Sequence, residues 1–391
     1  MHFTIVIPTR ERAETLKYTL ETCVAQNYDQ LEILVSDNVS ADETRNIVHS
    51  INDKRIRYIS TGQRLSMAEN FEFALSQVKP GFVITIGDDD GLPAGAISKA
   101  CQIAKDARVK SITTERAQYD WPGMSPKREN QILFSTRDGC ELRETKKYYP
   151  KVLNGWKSYY QIPLLYHCYF STEILDLIKA KSARLFNSQQ IDIYSSMLLG
   201  GLVNTYAHSF DPLVINGSSV KSNGAQHFGQ VKDTTEVKKW QVENNIPLRA
   251  PFVFAKSIRY LILESYLQAQ EVLPELSSYR FDLKGIFLNA LAELELSSNL
   301  SDKDVVISVA KRMGVSISEH DIQIIIRALL QKLNRYANRA LHLLDTVVID
   351  CAEHGVTDIN GASQLMDSFK TADDSKSCSL LQQIRLAMHR R

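Results

Sequence analysis

The turn after the first strand candidate holds no glycine. Phe3 to Ile7 reads as a buried strand and runs straight into Pro8-Thr9-Arg10-Glu11-Arg12. A dinucleotide fold would place GxGxxG there and a P-loop enzyme GxxxxGKS/T, because backbone N–H groups cradle phosphate only where side chains leave room. Neither signature is present, so any phosphate must be neutralised by other means. Cysteine is sparse: Cys23, Cys101, Cys140, Cys168, Cys351 and Cys378 show no CxxC spacing. That argues against a zinc cage or a disulfide framework and fits a reducing cytoplasm. No apolar run is long enough to span a bilayer, and His2 to Ile7 is too short for the apolar region of a secretory leader. The formal net charge of +1 gives no global reason to expect nucleic acid as a partner. The hydrophobic share of 44% over 391 residues fits a soluble globular chain with more than one core, and two domains are expected.

What is present is an alternation. Strand candidates at Phe3–Ile7, Leu31–Ser36, Ile56–Ser60 and Phe82–Ile86 are separated by helical patterns carrying Leu16 and Leu20, Ile47 and Val48, and Met67 to Val78. This order predicts a mostly parallel, doubly wound α/β sheet with right-handed crossovers. Ligands of such sheets gather at the carboxyl ends of the strands. The fourth strand ends in Gly87-Asp88-Asp89-Asp90-Gly91-Leu92. Two carboxylates about 4 Å apart repel by roughly 4 kcal/mol at an effective dielectric near 20. Three in a row need solvent, raised pKa values or a cation, and Mg²⁺ or Mn²⁺ commonly bridges carboxylates to substrate phosphates. The plain alternative is a solvated turn whose aspartates favour the next helix N-terminus.

Three stretches together resemble the family-2 glycosyltransferases, which have the GT-A fold. Ile5-Val6-Ile7-Pro8-Thr9-Arg10-Glu11-Arg12-Ala13-Glu14-Thr15-Leu16 is similar to their opening strand and turn. Ile33-Leu34-Val35-Ser36-Asp37-Asn38-Val39-Ser40-Ala41-Asp42 resembles their second strand and its acidic end. Ile86-Gly87-Asp88-Asp89-Asp90-Gly91-Leu92-Pro93 resembles their DxD-type metal motif. The resemblance implies that Pro8, Thr9 and Arg12 lie beside a nucleotide-diphospho-sugar and that Asp37 hydrogen-bonds the base, usually uracil. It implies that Asn70 faces the donor and that Mn²⁺ or Mg²⁺ sits on the aspartates. Glu11 stands where the family often has Asn, which alters base or ribose contacts. Gly87 stands where the family often has Asp, so the metal falls either to Asp88 and Asp90 or to Asp89 alone.

Past Leu92 the pattern thins. Tyr119 to Tyr149 is a polar excursion with Trp121, Tyr148 and Tyr149, aromatics that either stack on sugars or anchor a core. Asp192 opens an apolar helix running to Leu199, flanked by Gln190 and Tyr194. By position it is a first-turn acid; by resemblance it is the general base that deprotonates the acceptor hydroxyl. A strand at Pro212–Ile215 leads to a Gly/Ser/Asn-rich segment holding Lys221 and His227. Such a segment suits either a loop over a diphosphate, with Lys221 on the phosphates, or a plain surface loop; by resemblance His227 is a third metal ligand, and by residue type alone a structural histidine.

From about Thr234 amphipathic helices take over, at Ala255–Gln270, Leu283–Leu296, Asp302–Met313, Asp321–His342 and Leu343–Glu353, with no chemical motif. The expected division is a GT-A domain over 1–233 and an α-helical C-terminal domain over 234–391. The helices offer a homo-oligomer contact, and the basic end at Arg390-Arg391 offers peripheral contact with the inner face of a membrane. The favoured function is metal-dependent, inverting transfer from a UDP-sugar to a hydroxyl of a glycan or lipid-linked glycan, in surface polysaccharide or glycoconjugate synthesis. The rival readings are a sugar-nucleotide nucleotidyltransferase, which would show a Gly-rich first turn, and a non-catalytic scaffold with a helical partner-binding half.

Overall fold

The computed structural model describes residues 1–124, 128–222, 242–244, 246–297, 299–337 and 346–371. The first hundred residues form β1 (Phe3–Thr9), α1 (Ala13–Val24), β2 (Leu31–Asp37), α2 (Thr44–Ser50), β3 (Ile56–Ser60), α3 (Met67–Ser76), β4 (Phe82–Thr85) and α4 (Ala96–Ala107). Side chains alternate between the two faces of a strand. Phe3, Ile5 and Ile7 of β1 accordingly pack with Leu16, Leu20 and Ile97 on one side of the sheet. Val6 packs with Leu34, Val83 and Phe71 on the other. Both faces are covered, so every residue of β1, β2 and β4 is buried, as expected of parallel strands read as continuous apolar runs. α3 begins with a capping box in which Ser66 and Glu69 satisfy each other's backbone.

The middle of the chain supplies β5 (Ser111–Thr114), β6 (Ala117–Asp120), β7 (Gln131–Ser135), β8 (Cys140–Glu144), α5 (Thr145–Leu153), β9 (Tyr169–Ser171), α6 (Thr172–Lys179), α7 (Ile191–Leu202), β10 (Thr205–Ser209) and β11 (Ile215–Ser218). The main sheet has the order β3-β2-β1-β4-β9-β5-β10-β8. β9 runs antiparallel between β4 and β5, and β8 is an antiparallel edge on β10. The described residues of the polar excursion 119–149 therefore include β7 and β8. β6 and β7 form the centre of a second sheet ordered β11-β6-β7-β12. Its alternation in β7, with Ile132 and Phe134 inward and Gln131, Leu133 and Ser135 half-buried, was masked in the sequence by the surrounding Pro and Gly. The strand expected at Pro212–Ile215 starts three residues later.

The helices after residue 234 are α8 (Ile258–Val272), α9 (Leu283–Leu296), α10 (Lys303–Arg312) and α11 (Glu319–Ala337). α8 packs along α7, and its Tyr260, Leu261 and Leu263 join the same core as Leu198 and Leu199. Of the helix expected at Leu343–Glu353, the described residues 346–353 do not form it. Thr346–Asp350 is β12, pairing antiparallel with β7, and Cys351–His354 is a 3-10 turn. The β-branched run Thr-Val-Val-Ile favours an extended strand once an edge is offered. The last described element, α12 (Ile359–Thr371), lies behind the Asp88–Asp90 turn. Ser363 Oγ donates to the Leu92 carbonyl at 3.3 Å, and Ala94 N–H donates to Asp367 at 2.9 Å. Among the described residues no helix is long and apolar enough to cross a membrane.

Candidate active site

The β4–α4 turn holds three aspartates in three different environments. Asp90 is a structural anchor. Its Oδ1 accepts from Gly217 N–H at 2.8 Å. Its Oδ2 accepts from the Tyr166 hydroxyl at 2.7 Å, His167 Nε2 at 2.6 Å and Gly87 N–H at 2.5 Å. Burial works against the ionised form, but the His167 imidazole and these donors outweigh it and hold the carboxyl below its ordinary range. With four donors on two oxygens, Asp90 has little capacity left for a metal.

Asp88 and Asp89 are different. Asp88 Oδ2 accepts from the Thr9 hydroxyl at 2.8 Å. Asp89 Oδ2 accepts from the Ser219 hydroxyl at 2.7 Å and from Ser222. Both carboxylates lie 3.9 Å from the same Arg12 guanidinium nitrogen. Burial pushes Asp88 up to about 6 in spite of Arg12, and burial with the neighbouring Asp90 charge pushes Asp89 up as well. Two converging carboxylates that one arginine does not neutralise are the donor set a hard divalent cation takes. Among the described residues no third His, Cys, Asp or Glu joins them. His227 lies outside the described residues.

Several elements lock this turn in place. Trp121, buried rather than exposed, donates its indole N–H to the Asp89 carbonyl at 2.9 Å. Gly91 bridges to Ile215 of β11. A Cβ on Gly217 would stand 1.7 Å from the Asp89 carbonyl oxygen, so only glycine fits there. Arg12 donates to the Lys221 carbonyl, which ties the 219–222 turn across the aspartates. The Lys221 side chain is 57% exposed and lies 3.6 Å from Glu14. Ser219 and Ser222 were missed from the sequence. Their only signal was membership of the Gly/Ser-rich segment.

On the β1–β2 side, Glu11 accepts from Ala41 N–H at 2.9 Å and gives its own N–H to Ser40 at 2.9 Å. Glu11 and Val39 both have left-handed backbone, at φ 56° and 57°. For a β-branched residue that is a strained conformation of the kind that clusters at ligand sites. Asp37 is 2% exposed. Its Oδ1 accepts from Ser40 at 2.6 Å and its Oδ2 from the Tyr58 hydroxyl at 2.6 Å. Asn70 is turned to β2, accepting from Ser36 Oγ at 2.8 Å. Pro8 sits beside Ser36 in the β1–β2 register.

Asp192 lies in the first turn of α7. Its Oδ2 accepts from the Tyr159 hydroxyl at 2.6 Å and the Tyr160 hydroxyl at 3.3 Å. Burial and the Asp192 charge push Tyr159 far up, so its hydroxyl stays a donor. Arg116 stacks on the Tyr160 ring at 3.4 Å. The Tyr160 ring also stacks with His167 at 6.2 Å, and His167 stacks with Tyr166 at 3.8 Å. An aromatic file thus joins Asp192 to Asp90. Tyr194 does not face the same space. It is buried, and its hydroxyl accepts from Asn187 at 3.0 Å. Tyr159, Tyr160, Tyr166 and His167 carried no motif by which the sequence could have marked them.

Residues 4–166 match the model of the family described as Glycosyl transferase family 2. GalNAc(5)-diNAcBac-PP-undecaprenol beta-1,3-glucosyltransferase of Campylobacter jejuni is 31% identical over 105 residues, 26% of this chain and 34% of that protein. UDP-Glc:alpha-D-GlcNAc-diphosphoundecaprenol beta-1,3-glucosyltransferase WfaP of Escherichia coli is 29% identical over 105 residues, 27% of this chain and 42% of that protein. The matched part thus spans about a third to two fifths of these relatives. Among solved structures, S. aureus TarS 1-349 in complex with UDP-GlcNAc aligns at a TM-score of 0.48 and 14% identity, covering 81% of this chain and 93% of that one. The matched residues carry the β1 turn, the acidic end of β2 and the β4 aspartates in one piece, and this chain holds a family-2 glycosyltransferase domain over residues 4–166.

Proposed function

We propose that the chain is a metal-dependent, inverting glycosyltransferase that moves a sugar from a UDP-sugar to a hydroxyl of a lipid-linked glycan. The observation that carries this is the pair of buried, imperfectly neutralised carboxylates at the end of β4, beside Asp90, from which an aromatic file runs to the Asp192 carboxylate on α7. Asp88 and Asp89 would hold Mn²⁺ or Mg²⁺, which when bound neutralises the departing diphosphate. Arg12, between the two, adds fixed positive charge on the same side. Asp192 accepts the proton of the acceptor hydroxyl as that oxygen forms its bond to the anomeric carbon. The bond from that carbon to the diphosphate breaks on the opposite face, so configuration inverts and the nucleoside diphosphate leaves. Tyr159 and Tyr160 hold Asp192 in place, and Asp90 positions the turn.

Pro8, Thr9, Glu11, Asp37, Asn70 and Lys221 would line the nucleotide. Asp37 reads the base once Tyr58 or Ser40 yields a lone pair. The named acceptors of the two curated relatives support a diphosphate-linked lipid glycan. We further place the transferase domain at 1–233, with β12 and α12 packed into it, and assign the helices α8 to α11 to packing, acceptor presentation or oligomerisation, at the cytoplasmic face of a membrane. A screen of nucleotide sugars for nucleoside-diphosphate release with Mn²⁺ present tests the proposal. Release from a UDP-sugar, dependent on the acceptor and abolished by chelator, is expected. No release from any donor would overturn it.

A further inference from the structure

Next to the tyrosines that hold Asp192 lies an open cavity of about 450 Å³. Ser158 and Gln161 line it and bracket Tyr159 and Tyr160, and Glu115, which precedes the Arg116 stacked on Tyr160, lines it as well. The cavity therefore shares a wall with the Asp192 anchor. Arg137, Trp156 and Lys157 line it too.

Trp156 is 70% exposed, which is costly for the largest apolar side chain unless something covers it. Its backbone is rigid. Trp156 N–H donates to the Lys151 carbonyl at 2.7 Å and Gly155 N–H to Val152 at 2.9 Å, the paired bonds of a Schellman motif at the end of α5. Gly155 has φ 70°, and Arg259 donates to its carbonyl at 2.7 Å. In this motif the residue after the glycine usually folds its apolar side chain back on the helix; here it stands open to the cavity.

The charges point the same way. Arg137 is stacked on Phe210 at 4.0 Å, and among the described residues neither Arg137 nor Lys157 has a carboxylate within ion-pair distance. Glu115 is already matched to His208 at 3.2 Å, which holds its carboxyl below the ordinary range. Gln161 is engaged as well, accepting from Arg143 at 2.8 Å and bonding the Glu115 carboxylate. A fixed aromatic face beside two unmatched cations suits a sugar ring bearing a negative charge.

We propose that this cavity binds an anionic part of the acceptor, a sugar carrying phosphate or carboxylate, with the ring on Trp156 and the charge on Arg137 and Lys157. The inference rests on the transferase reading, because it places the acceptor hydroxyl at Asp192. The charge can come from a diphosphate linkage to lipid or from an acidic sugar, and the test separates these sources. The protein, saturated with UDP and Mn²⁺, is titrated with three probes: an octyl-diphosphate-linked N-acetylhexosamine, an octyl hexuronide and a neutral octyl N-acetylhexosaminide. At least about a tenfold preference for one charged probe over the neutral one is expected, and the preferred probe names the source. The Arg137→Gln/Lys157→Gln variant loses that preference, and Trp156→Ala weakens all three probes. UDP affinity is unchanged in both variants. Equal binding of all probes by the parent protein, or a preference that survives the double substitution, overturns the inference. Failure of UDP to bind at all would instead defeat the transferase reading.

Discussion

Asp90 and Asp88 are two residues apart and should respond oppositely to loss of charge. In Asp90→Asn, the amide oxygen can face Tyr166, His167 and Gly87, but the amide nitrogen then confronts the Gly217 N–H. Three bonds lose their charge assistance, about 1 kcal/mol each, and one buried N–H is left unsatisfied at about 1–3 kcal/mol. The sum is roughly 4–6 kcal/mol, at the upper end of the range seen when a buried pair is broken. At about 2–4 °C per kcal/mol this lowers Tm by on the order of 10 °C. Asp88 has one hydroxyl donor and an arginine at 3.9 Å, and its carboxyl is pushed up to about 6. Ionising it in the metal-free fold at neutral pH costs as much as about 3 kcal/mol relative to an exposed aspartate. Asp88→Asn should therefore leave Tm equal or raised while weakening UDP binding with Mn²⁺. Thermal unfolding of the parent and both variants in chelator, followed by circular dichroism, gives the comparison. Equal destabilisation by the two substitutions, or the larger loss at Asp88, would refute the division of the turn into one anchor and two ligands.

The same residue sets a pH dependence. With its folded pKa above the unfolded value, Asp88 is protonated in the fold while still ionised in the unfolded chain between about pH 4 and 6. The metal-free protein should gain stability from Asp88 as pH falls from 7 towards 4, and unfolding curves of Asp88→Asn should lack that part of the slope. Asp192→Asn should cut transfer by about 10²–10⁴-fold with UDP affinity unchanged; full activity would reduce Asp192 to a helix-start acid. Gly217→Ala places a methyl carbon 1.7 Å from the Asp89 carbonyl, so the strand or the turn must move. Calorimetry should show UDP–Mn²⁺ binding weakened at least about tenfold, and unchanged affinity would show the turn to be slack.

The strands of the first hundred residues were legible because β1, β2 and β4 are short β-branched runs bounded by Pro, Asp and Gly, and because both faces of the sheet are covered. The acidic turn was legible as a site. What the sequence could not divide was the labour among its aspartates. That depends on Gly217, 127 residues away in the chain, and on Tyr166 and His167, which belong to an irregular segment with no periodicity. Asp192 was found by its place at a helix start, whereas Tyr159 and Tyr160, which hold it, were not. The second sheet was missed for a similar reason: β7 is half-exposed and finds its partners in β6 and in β12, which begins at Thr346. β12 read as a helix until the free edge of β7 was known. Non-local pairing overrode local pattern there.

The central claim is that Asp88 and Asp89, through a divalent cation, bind the diphosphate of a UDP-sugar. Isothermal titration of UDP into the protein with Mn²⁺, with chelator, and with Mn²⁺ in the Asp88→Ala/Asp89→Ala variant tests it most directly. Tight binding in the first titration and at least about a hundredfold weaker binding in the other two is expected, since charge-assisted contacts to both phosphates are lost. Equal affinity in all three would contradict it.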